Sequence, residues 1–136
     1  MINLPFSTQN EELKKIVQVL LLLDVSSNKI SDLIVEAYKN TSKKWQEEIF
    51  YLLNTKIKNE EIKKEYLIAK QGTIFFDSLG DSQLWQKIHE LSFEDKLPYL
   101  LHHILGWENE KIGNLLNISI SEIEILLVRI LKKLEN

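Results

Sequence analysis

Between residues 109 and 134 the chain reads as two amphipathic helices held apart by three residues, and that spacing limits what the C-terminal part can become. Ile112, Leu115 and Leu116 recur at helical intervals, Asn117-Ile118-Ser119 interrupts them, and a second apolar series begins at Ile120. Ser119 and Glu122 have the spacing of a capping box, in which the hydroxyl accepts from the Glu122 amide and the carboxylate reaches back to the Ser119 amide. Gly113, inside the first of the two helices, leaves room for a neighbouring helix to come close. A tight pair of the helix-turn-helix kind is the expected product.

Turning by about 100° per residue, Ile120, Ile123, Leu127, Ile130, Leu131 and Leu134 fall on one broad face of the last helix, which should be its core side. The opposite face shows Ser121, Glu122, Ile125, Val128, Arg129, Lys132 and Lys133. Upstream, the same periodicity predicts a helix from Glu11 carrying Leu13, Ile16, Val17, Leu20 and Leu21, with Asn10 as its cap. A second runs over about residues 29–39 with Ile30, Leu33, Ile34, Ala37 and Tyr38 inward. After a start signal at Thr41-Ser42, a third carries Trp45, Ile49, Leu52, Leu53 and Ile57. A fourth begins at Asn59 with Ile62, Tyr66, Leu67 and Ala69, and reaches Gln71. Residues 72–80 have no helical period and lie between two glycines, although Phe75 and Phe76 should dock them on a helical body. Asp81 or Ser82 can cap a fifth helix bearing Leu84, Trp85, Ile88 and Leu91. The expectation is an all-α chain of two small helical bundles: an N-terminal domain over 1–72, a linker over 73–80 and a C-terminal helix-turn-helix domain over 81–136.

The residues from 91 onward resemble the promoter-reading C-terminal domain of bacterial sigma factors, region four, most of all that of the small extracytoplasmic-function type. That domain's usual pattern runs Leu-Pro, an Arg, an apolar helix ending in Gly, then Glu-x-Ile-Ala, Gly-Ile-Ser and a basic recognition helix. Leu91-Ser92 falls on the Leu-Pro, Lys96 on the Arg and Gly106 on the helix-ending Gly. Glu110-Lys111-Ile112-Gly113 falls on Glu-x-Ile-Ala, and Asn117-Ile118-Ser119 on Gly-Ile-Ser. Pro98 stands where that family rarely has proline, and it implies a helix that starts near Leu97 or kinks. In the N-terminal half, Asp32-Leu33-Ile34-Val35-Glu36-Ala37-Tyr38 is similar to the Asp-Leu-Val-Gln-Glu-x-Phe of sigma region two without its Gln. Trp45, Phe50, Tyr51 and Asn54 are similar in kind to that domain's next helix, at different spacing.

The resemblance implies a transcription protein with no catalytic residues and no cofactor. It would bind the RNA polymerase core, with promoter DNA held by Ser121, Arg129, Lys132 and Lys133, and a sigma antagonist as a further partner. The charge of the chain pulls the other way. Its net charge is −3, Arg129 is the only arginine, and residues 91–136 hold five basic side chains against seven acidic ones. Phosphate contacts dominate affinity for DNA. Glu124, Ile125 and Leu126 stand where the family has Lys, Arg or Ser, and an outward Ile125 and Val128 suit a protein surface better than a DNA groove. The alternative is therefore a protein-interaction module with a degenerate helix-turn-helix, which regulates RNA polymerase or a sigma factor without reading DNA.

Other functional classes find little footing. There is no cysteine, which removes disulfides and thiolate chemistry and fits a reducing, cytoplasmic setting. The longest apolar run, residues 19–23, is too short to span a membrane. His102 and His103 are adjacent, so they diverge on a helix and do not converge on a metal. The pairs Glu11-Glu12, Glu47-Glu48 and Glu60-Glu61 suit helix starts or facing lysines. Between Lys39 and Lys64 seven lysines interleave with Tyr38, Trp45, Phe50 and Tyr51. That composition suits single-stranded nucleic acid, or a lysine-rich outer face over an aromatic core, and the second reading places Trp45 with Ile49.

Overall fold

The computed structural model describes residues 10–68 and 82–135, and those residues form an all-α protein. Its helices are α1 (Asn10–Leu22), α2 (Ser27–Asn40), α3 (Trp45–Lys56), α4 (Glu60–Tyr66), α5 (Ser82–Glu90), α6 (Phe93–His103), α7 (Asn109–Leu116) and α8 (Ile120–Glu135). The predicted linker over 73–80, with Phe75 and Phe76, lies outside the described residues, as do Ala69, Gln71 and Asp81.

Two of the starts are fixed by a side-chain cap. The Asn59 side chain accepts from the amides of Glu61 and Ile62, at 3.0 and 3.3 Å, which fixes the first turn of α4. Ser92 does the same for α6 through the Asp95 amide, at 3.3 Å. Thr41 accepts from the Lys44 amide, but the first helical residue of α3 is Trp45. The helix α4 ends at Tyr66, earlier than the periodicity suggests. There the chain turns extended, and the Tyr66 carbonyl accepts from the Ser26 amide while the Ile68 amide donates to the Asp24 carbonyl. These bonds frame an isolated antiparallel bridge between Val25 and Leu67.

Pro98 neither delays α6 nor ends it. The helix begins at Phe93 and continues to His103, with Pro98 buried at its sixth position. The missing amide would have bonded the Glu94 carbonyl, near the exposed first turn where water can replace it.

The two helical groups on either side of residues 69–81 share one core. Leu20, Leu33, Ile49, Phe50 and Leu53 of the first group and Ile88, Leu100, Leu101, Ile112, Ile123 and Ile130 of the second are fully buried. Phe50 meets Trp107 edge to face at 5.7 Å between ring centres. Such an edge-to-face pair is worth about 0.5 to 1.5 kcal/mol beyond the area it buries, so this contact helps to tie the groups together. Polar bonds repeat the connection, from the Asn54 amide to the Leu115 carbonyl at 3.4 Å and from Lys111 to Glu47 at 3.2 Å.

The strongest polar tie is buried. Asp24 sits in the turn between α1 and α2 with φ of 66°, a left-handed conformation that Asp tolerates better than most residues. Its carboxylate accepts from Lys96 Nζ at 3.0 Å and faces His89 Nε2 at 2.9 Å, and the same ammonium donates to the Leu22 carbonyl at 2.9 Å. Lys96 is only 2% exposed. The next residue back, Asp95, points about 100° away around α6 and binds α8 instead. Thus α6 holds the N-terminal group with one residue and the last helix with its neighbour.

Candidate interaction surface

The geometry of α8 is set from its first turn. The Glu122 amide donates to Ser119 Oγ at 3.1 Å, and the Ser119 amide donates to Glu122 Oε1 at 3.4 Å, completing the capping box. The chain enters that cap from Asn117, whose φ of 59° is the left-handed closing position of α7. A Cβ at Gly113 would stand 2.7 Å from the Ile118 carbonyl oxygen, so only glycine allows the turn to fold this closely over α7. The separation of α7 and α8 by three residues, read from the sequence, is what the chain adopts.

The rotation of α8 is set by Ile123, Leu127, Ile130 and Leu134, all buried. Ile120 and Leu131, expected on the core side, are instead 47% and 51% exposed. They lie at the rim of the wheel, and the bundle covers only a narrow strip centred between Ile123 and Leu134. The outward face is correspondingly more apolar than the sequence suggests. Ile125 is 68% and Val128 52% exposed. Ser121, Ile125, Val128 and Lys132 follow one line along the middle of this face.

The other two cations are placed differently. Arg129 Nη2 donates to Asp95 Oδ1 at 3.2 Å and Lys133 Nζ to Asp95 Oδ2 at 2.9 Å. Their side chains remain about half exposed, and their charged ends converge on a carboxylate that is itself buried. Of the four residues expected on DNA, Ser121 and Lys132 are therefore exposed beside the apolar line, while Arg129 and Lys133 are drawn to the flank by α6. Sequence reasoning missed Asp95 in this role. Its distance of thirty-four residues from Arg129 leaves no local pattern to read, and only the helix packing makes the pair.

The histidines each have a partner within the protein. The Trp107 carbonyl accepts from His102 Nδ1 at 3.2 Å, His103 stacks on Tyr99 at 5.2 Å, and His89 belongs to the Asp24 cluster. Among the described residues no three His, Asp or Glu side chains are grouped to hold a metal ion. Near Trp107 lies a groove of about 620 Å³ in whose lining Gln46 bonds Glu12, and Lys111 pairs with Glu47 and sits over the Trp107 ring at 4.3 Å. In the lysine-rich stretch Trp45 and Phe50 are buried and Tyr38 is half-buried against the core, so these aromatics serve the core, while Tyr51 is exposed at the surface. Lys56 pairs with Glu36 at 3.4 Å. Burial alone would lower its pKa, but Tyr66 and Glu36 beside it outweigh that and hold it raised. Among the described residues no helix is long and apolar enough to cross a membrane.

Comparison of the chain with family models, with curated proteins and with solved structures finds no match in any of the three.

Proposed function

We propose that this chain is a protein-interaction module with a sigma-like C-terminal helix-turn-helix, acting on the transcription machinery through the outward face of α8 rather than by reading DNA. One observation carries this reading. The centre of that face is Ile125 and Val128, both more than half exposed, whereas Arg129 and Lys133 lean to the flank and share the one carboxylate of Asp95. A DNA surface needs cations free to release counterions from phosphate. A protein surface needs apolar area inside a polar rim, and Ile125 and Val128 with Ser121, Glu124 and Lys132 around them have that composition. The resemblance of residues 91–136 to sigma region four points to the RNA polymerase core or a sigma factor as the protein met there.

The second reading, a sigma factor that binds promoter DNA, draws support from the short turn between α7 and α8 and from the exposure of Ser121 and Lys132. The two separate in one pair of experiments. Under the first, capture of the polymerase core survives conversion of Arg129, Lys132 and Lys133 to Glu and is lost on Ile125→Asp. Under the second, promoter fragments shift at low salt and the triple reversal abolishes the shift. Capture that ignores Ile125→Asp, with a promoter shift that depends on the three cations, would overturn the first reading.

A further inference from the structure

The exposed line on α8 has an internal symmetry. Val128 is its midpoint; Ile125 and Leu131 lie three residues to either side, and Glu124 and Lys132 four to either side. At about 1.5 Å per residue, Glu124 and Lys132 are about 12 Å apart along the helix, one toward each end. All five side chains are exposed, and neither Glu124 nor Lys132 makes an ion pair among the described residues. The remaining charges of α8 near this face are occupied, Glu122 in the capping box and Arg129 and Lys133 on Asp95.

We propose that the partner of this face is a second copy of the same chain, joined through an antiparallel α8–α8 contact with its two-fold axis at Val128. This rests on the reading of α8 as a protein-docking face and names its occupant. Under such an axis every residue meets the one equally far from Val128 on the other copy. Val128 then packs on itself, Ile125 comes level with Leu131 of the other copy, and Glu124 with Lys132, each pair formed twice. A parallel arrangement would set Glu124 against Glu124 and Lys132 against Lys132, so charge selects the antiparallel one. An unrelated partner would have no reason to match acid and base at equal distances from one apolar centre.

A single pair of helices buries less than the roughly 1,000 Å² of a stable assembly, so the dimer belongs to the weak, exchanging class. The same side chains would meet any other protein, so self-association and docking exclude one another. Dimerisation thereby hides the face until a competing partner displaces it.

Sedimentation equilibrium between about 10 µM and about 1 mM tests the proposal. The expected result is a concentration-dependent dimer, weakened at least about tenfold by Glu124→Lys or by Lys132→Glu. Strength returns when the two variants are mixed or when both changes are made in one chain. Circular dichroism melts of each variant, expected to match the original because both positions are exposed, separate this from unfolding. A monomer at every concentration, a dimer indifferent to the single reversals, or a combined variant as weak as the single ones would overturn it. A monomer whose capture of polymerase still fails on Ile125→Asp would remove the homodimer and leave the docking reading standing. A charge-dependent dimer that captures no polymerase would do the reverse.

Discussion

Replacing Lys96 by Met removes the ammonium from the buried cluster while keeping most of the chain's volume. The perturbation leaves the Asp24 carboxylate, 9% exposed, with His89 as its remaining ionisable neighbour, and takes the Nζ donor from the Leu22 carbonyl. Breaking a buried pair from one side costs roughly 3 to 5 kcal/mol. Because His89 stays 2.9 Å from Asp24, the lower end applies, about 3 kcal/mol. For a chain of this length that is a fall in Tm of about 12 °C, at roughly 4 °C per kcal/mol. Asp24→Asn tolerates the left-handed backbone and removes the opposite charge, so it should cost about as much by stranding the ammonium. The double variant holds neither charge and should cost less than the two singles together by at least about 1 kcal/mol. Urea melts followed by circular dichroism measure all three. A Lys96→Met loss within about 0.5 kcal/mol of zero, or costs that simply add, would refute the reasoning that this cluster fastens α6 to the N-terminal helices.

Other perturbations probe other parts. Gly113→Ala, although alanine favours helix, should cost about 1 to 3 kcal/mol in the same melts, because its Cβ meets the Ile118 carbonyl at 2.7 Å and backbone must move. Ser119→Ala should cost about 1 kcal/mol through loss of the α8 cap, and a change below the error of the melt would contradict the capping box. In alkaline solution the burial of Tyr99 raises its phenol above the ordinary 10.0. The unfolded chain then ionises first, so this contribution to stability is whole below pH 10.0 and is lost as pH climbs through the folded value. The raised pKa of Lys56 has the same sign, its contribution whole below 10.5 and lost above the folded value. Tm should therefore decline above about pH 10, and less steeply in Tyr99→Phe.

What the sequence made legible were the features with short-range causes. The spacing of Ile112, Leu115, Ile123, Leu127 and Ile130, the Ser119-Glu122 box and the helix start near Asn59 each concern residues a few positions apart, and each appears in the structure. The all-α class follows from the same periodicities. What escaped depends on the assembly of helices. Ile120 and Leu131 share the apolar side of the wheel, yet the width of the stripe that is covered depends on how many neighbours α8 has, and no local pattern states it. Pro98 reads as a late start or a kink, but the carbonyl it leaves without a donor lies in the first turn of α6, where a helix that starts earlier loses little. The partners of Asp24 lie sixty-five and seventy-two residues away, and those of Asp95 thirty-four and thirty-eight. Asp95 bears most on the proposed function, since it pairs with two cations that the sequence offers as DNA contacts.

The central claim is that the apolar centre of α8, and not its charge, makes the functional contact. Its most direct test is the amount of purified RNA polymerase core retained by the immobilised chain, compared among the original, Ile125→Asp, and the variant with Arg129, Lys132 and Lys133 all changed to Glu. Retention by the original and the charge variant, and none by Ile125→Asp, is the expected result. Retention by Ile125→Asp, with loss in the charge variant, would contradict it.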